Sequence, residues 1–125
     1  MTLKRWQRVS LLLIYAALIA ALSLVPAGSS PIPLSIWDKF QHFGAYFLLM
    51  ALAYPLTNSM RWRLIGAVLV IAYSGLLEVA QRLAPGRVAS PQDLLANSLG
   101  VICAFAIMAS VSLWLRHRGK QNKAK

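Results

Sequence analysis

The sequence predicts an all-α membrane domain with four transmembrane helices and both termini on the cytoplasmic side. Three observations carry that expectation. Apolar residues make up 58% of the 125-residue chain and mean hydropathy is +0.60, well above a soluble domain of this length. Four apolar stretches, residues 9–25, 40–56, 64–84 and 94–115, each reach the roughly 17–25 residues that a helix needs to cross a hydrocarbon core of about 30 Å. The Lys and Arg residues lie mostly between and beyond those stretches.

Each stretch has recognisable ends. The first follows Lys4, Arg5 and Arg8, as a signal peptide would, but it is longer than the roughly 7–15 residues of a signal core and is expected to stay as a span. It runs into Pro-Ala-Gly-Ser-Ser-Pro-Ile-Pro at 26–33, a turn-rich linker. The second stops at a polar hinge over 57–63. Ala84-Pro85-Gly86 breaks the third, and the fourth gives way to a basic tail at 116–125. One domain over 1–115 followed by that tail accounts for the chain. Trp6, Trp37, Trp62 and Trp114 fall near span ends, where interfacial belts place tryptophan.

Charge sets the expected orientation. Lys4, Arg5, Arg8, Arg61, Arg63, Arg116, Arg118, Lys120, Lys123 and Lys125 all fall on one side of the four spans, ten of the thirteen Lys and Arg. Lys39, Arg82 and Arg87 fall on the other, matched by the three acidic residues Asp38, Glu78 and Asp93. The net charge of +10 therefore lies on the side that the positive-inside rule assigns to the cytoplasm. A nucleic-acid binder would gather its cations on a folded face, so nucleic acid is not an expected partner. A lone Cys103 in an apolar run excludes an internal disulfide or a multi-cysteine metal site.

All three acids sit at the outward ends of spans. Asp38, His42 and Tyr46 recur every four residues and line one stripe of the second helix over about 12 Å. Glu78, Gln81 and Arg82 occupy the end of the third helix, Asp93 and Asn97 the start of the fourth. Three helices are thus expected to aim polar stripes into one outward pocket. Structural roles compete for several of these residues. Ser35 with Asp38 and Ser90 with Asp93 both fit capping boxes, with Pro91 at the first helical position. His42, Tyr46 and Asn97 can hydrogen-bond between helices, and Ala96, Gly100 and Ala104 form a small-residue seam. Glu78 has no cap to explain it. It lies roughly 9 Å inside the helix end, where an ionised side chain costs a few kcal/mol unless partnered, with Arg87 or His42 as the expected partner.

The ordered series Asp38-Lys39-x-x-His42-x-x-x-Tyr46, then Glu78-x-x-Gln81-x-x-x-Pro85-Gly86-Arg87-x-x-Ser90-x-x-Asp93-x-x-x-Asn97-x-x-Gly100, resembles the signature of the VanZ-like family of small bacterial membrane proteins. The resemblance covers residues 36 to about 105. Where the family often has a second glycine, Ala104 stands here, which touches packing only. The resemblance implies a multi-pass protein of the bacterial inner membrane, in a family whose namesake confers resistance to the glycopeptide teicoplanin.

Three functions compete on these residues. In the first, an outward pocket binds and modifies a membrane lipid, a lipid-linked envelope precursor or a glycopeptide. Its catalytic candidates are Glu78, His42, Asp93 and Asp38. Arg87, Lys39, Tyr46, Gln81, Asn97 and Ser90 would bind substrate, the two cations holding a phosphate or carboxylate. The second is a small proton-coupled transporter, which needs a polar path through the bundle. The third is an assembly or scaffold subunit whose polar cluster merely holds helices together. A closed, paired cluster favours the scaffold and an open pocket favours binding or catalysis. One His with carboxylates from separate helices is a weak metal signature, so neither metal nor other cofactor is expected.

Overall fold

A computed structural model describes residues 3–26 and 36–123 of the chain. The linker over 27–35, including Ser35 and its capping box, and the side chains of Ile36, Trp37 and Lys123 lie outside the described residues. Four α-helices follow in order: α1 (Arg5–Ser23), α2 (Ile36–Ala53), α3 (Met60–Ala80) and α4 (Pro91–Lys123). A 3₁₀ turn at Tyr54–Leu56 extends α2, with Pro55 inside it, and another at Gln81–Leu83 extends α3. Gly86 takes a φ of 73°, a left-handed conformation that glycine adopts at no steric cost. That turn brings the chain back into α4.

Burial is inverted relative to a water-soluble bundle. Leu69, Leu76, Val68 and Val79 face outward, while Arg63, Ser74, Glu78, Gln81, Asp93 and Asn97 are buried. Apolar residues on the outside and polar residues within suit a hydrocarbon solvent. Arg5–Ser23, Met60–Leu83 and Pro91–Asn122 are long and apolar enough to cross a membrane. The expected second span forms α2, but by composition it does not join those three, because Asp38, Lys39, Gln41 and His42 crowd its first two turns.

Contacts between the helices fix their directions. Along α2 and α4, Lys39 meets Asp93, His42 meets Asn97, Phe43 meets Gly100 and Tyr54 meets Phe105, so these two run parallel. α3 runs against α4, since Ser74 bonds Asn97 while Glu78 bonds Ser90. α1 runs against α2, with the Tyr15 hydroxyl on the Ala45 carbonyl and the Arg8 guanidinium on that of Pro55. The α2–α4 seam is the tightest. A β-carbon on Gly100 would stand 2.3 Å from the Phe43 carbonyl oxygen, so only glycine lets these backbones touch. Asp93, Asn97, Gly100, Val101 and Ala104 form the buried face of α4, whereas Ala96 is only half-buried. Leu49, Met50 and Tyr54 pack opposite. α4 is 33 residues long, about 50 Å, and the expected basic tail continues it as helix as far as Lys123, with Arg118 stacked 4.2 Å over the Trp114 ring.

Candidate functional site

The first turns of α2 and α4 and the last turns of α3 meet at one end of the bundle. Lys39 reaches from α2 to the Asp93 carboxylate of α4 and lies 3.7 Å from Asp38. His42, one turn deeper, places Nε2 3.7 Å from Asp38 and 3.8 Å from Asp93. Its Nδ1 stands 3.1 Å from Asn97 Oδ1 and 4.0 Å from Glu78 Oε1. Because Asn97 Oδ1 only accepts, Nδ1 is the protonated nitrogen of this pair. Nε2 then faces the two aspartates and the partly exposed rim. The Asn97 amide donates in turn to the Ser74 hydroxyl at 2.8 Å, and buried Tyr46 faces that same serine.

Glu78 has an unexpected partner. Its Oε2 accepts the backbone N–H of Ser90 at 3.3 Å. A capping box would give that N–H to Asp93, so a carboxylate from α3 replaces one arm of the box at the start of α4. Asp93 is thereby freed to face Lys39 and His42. Of the two partners expected for Glu78, His42 is in reach and Arg87 is not among the contacts described. The Arg87 guanidinium instead donates to the Val25 carbonyl at 2.9 Å, tying the α3–α4 turn to the end of α1. Gln81 is buried at the base of its 3₁₀ turn. Of the ten expected site residues, Asp38, Lys39, His42, Tyr46, Glu78, Ser90, Asp93 and Asn97 share one continuous network.

Ser74 completes that network without having been expected. The signal lay in its spacing, one turn before Glu78 on the same helix.

The VanZ/LLP1 family model matches residues 4–114, nearly the whole chain. The chain belongs to the VanZ-like family. No curated protein and no solved structure matches it.

In this VanZ-like chain the site combines surplus carboxylate with few cations. Asp38, His42 and Asp93 each offer a ligand atom within 4.8 Å of the others, and these are the residues that could hold a metal ion. The Lys39 ammonium already stands beside both carboxylates, where a cation would balance their charge. Asp38, Glu78 and Asp93 against Lys39 leave the cluster with more negative than positive side chains. Such a rim suits hydroxyl and amino groups better than phosphate, because a second anion would be repelled.

Proposed function

We propose that this VanZ-like protein is a four-span inner-membrane protein whose outward carboxylate–histidine cluster binds a polar envelope molecule through hydroxyl or amino groups. The single observation that carries the reading is the His42 ring. It is held by Asn97 at Nδ1 while Nε2 faces two carboxylates near the exposed rim. That is the arrangement of a base oriented for proton exchange with a bound hydroxyl. Lipid-linked envelope precursors and glycopeptides both carry such groups on sugars. Lys39 and Arg87, both engaged within the fold, are then positioning residues rather than anion ligands.

Transport fits less well. Inward of Asn97 and Ser74 the bundle is closed by Leu49, Met50, Val101 and Ala104, all nearly inaccessible, which interrupts a polar path. The scaffold reading has one observation in its favour, that the cluster's own members pair with one another. Glu78→Gln separates the two readings. Its amide oxygen can still accept the Ser90 N–H, so the variant should insert and accumulate normally. It should nevertheless fail to complement the envelope phenotype of a deletion strain, measured as glycopeptide and detergent susceptibility. Full complementation by Glu78→Gln and Asp38→Asn, at normal protein level, would leave the scaffold as the function.

Orientation rests on the ten cations that the sequence puts on one side of the four apolar stretches. Reporter fusions at the C-terminus and within residues 29–34 should report cytoplasm and exterior respectively. A C-terminus outside the cell would reverse the site onto the cytoplasmic face.

A further inference from the structure

Arg63 is a buried guanidinium without a carboxylate. It retains only 7% of its accessible surface, and its Nε donates to the Thr57 carbonyl at 2.9 Å and the Tyr54 carbonyl at 3.3 Å. Nη1 donates to the Tyr54 hydroxyl, and the guanidinium carbon lies 4.1 Å from that ring. Carbonyls, a phenol and a ring face offer partial charges only. The sequence holds just three Asp and Glu, and all three belong to the cluster at the opposite end. A buried charge with no counter-ion is costly, so this position calls for an anion that the chain does not itself supply.

A cleft of ≈ 150 Å³ opens beside it, lined by Tyr54, Asn58, Arg63, Ser112, Leu113 and Arg116 among others. Two arginines and three neutral hydrogen-bonding side chains stand there with apolar walls. Trp62 and Trp114, both more than half exposed, flank the cleft in sequence and mark the depth of a membrane interface. We propose that this cleft binds a phosphate group, with Arg63 as the fixed anchor and Arg116 as the rim cation. An anionic phospholipid headgroup and a soluble phosphate ester share that chemistry. A fixed guanidinium suits it, because its planar fork matches phosphate oxygens, and basic pockets between membrane helices hold anionic headgroups in this way. The inference does not depend on the reading of the carboxylate–histidine cluster, which lies at the other end of α3 and α4.

Native mass spectrometry of the full chain, delipidated in neutral detergent, tests it. Offered equal phosphatidylglycerol and phosphatidylcholine, the protein should retain phosphatidylglycerol at least about threefold over phosphatidylcholine. Arg116→Gln removes one rim charge from an exposed residue without touching the packing, and should abolish most of that preference. Arg61→Gln removes the same charge from α3 outside the cleft and should leave the preference intact. Arg63→Lys keeps the charge but loses the fork, and should weaken retention while thermal unfolding still shows a folded protein. Displacement of the lipid by glycerol 3-phosphate would support the site with a soluble phosphate ester as occupant, and resistance to displacement would support it with the lipid. The proposal is overturned if Arg61→Gln lowers retention as much as Arg116→Gln. It is equally overturned if neither phosphatidylglycerol nor glycerol 3-phosphate binds selectively.

Discussion

Gly100→Leu will keep α2 from closing on α4, and the variant will fail to accumulate in the membrane. Even alanine places its β-carbon 2.3 Å from the Phe43 carbonyl oxygen and 3.0 Å from the Phe47 nitrogen, against an ordinary contact beginning near 3.4 Å. These are backbone atoms, so relief requires the two helices to part by about 1 Å. A gap of that size forfeits a quarter to a half of the dispersion attraction between facing atoms. Overpacking of this kind costs about 1–3 kcal/mol for alanine, and leucine adds three more carbons to the same overlap. Gly66→Leu is the control, because a β-carbon there meets nothing within 4 Å. Membrane levels by immunoblot and unfolding temperature in detergent should rank wild type and Gly66→Leu together, Gly100→Ala lower and Gly100→Leu lowest. Equal levels for all four would mean that the close α2–α4 contact does not form in the membrane.

Lys39→Met carries the second large effect. Without the ammonium, Asp93, nearly buried, faces Asp38 and His42 with no cation between them. Breaking a buried ion pair from one side costs about 3–5 kcal/mol, and the partial exposure of Lys39 places this pair toward the lower end. Asp93→Asn removes the orphaned charge. The double variant Lys39→Met with Asp93→Asn should therefore be more stable than Lys39→Met alone. Unfolding midpoints for the four members of that cycle give the coupling directly. Strictly additive losses would show that the two side chains do not interact.

Most of the site was legible because helix periodicity reveals which residues share a face. Asp38, His42 and Tyr46, spaced by four, do line one stripe, and Glu78 does lie buried within the bundle. Spacing along one helix does not show which group on another helix sits opposite. Hence Glu78, expected beside Arg87 or His42, does come within 4.0 Å of His42 but takes its hydrogen bond from the Ser90 N–H, and Arg87 turns to Val25. The same gap hid Arg63, which by sequence is only one more cation in a loop and by packing is a buried anchor under Tyr54. Ser74 went unnoticed because its spacing of one turn before Glu78 gains meaning only once Asn97 is placed across from it. The apolar stretches gave three helices fit to span on their own. The second stretch forms α2 but is less apolar than the other three, since the polar stripe that builds the site also lowers its hydropathy.

The parallel pairing of α2 with α4 bears on how the chain is made. Helices emerge from the ribosome in order, and the residue that partners Lys39 follows 54 positions later. At roughly 5–20 residues per second, that interval is about 3–11 s. During it α2 must carry Asp38, Lys39 and His42 without their eventual neighbours, in a helix too polar at its start to settle into lipid alone. The α2 stripe therefore gains its α4 partners, Asp93 and Asn97, last. Truncation just before α4 should leave α2 uninserted, and its accessibility to a membrane-impermeant label would time the moment of assembly.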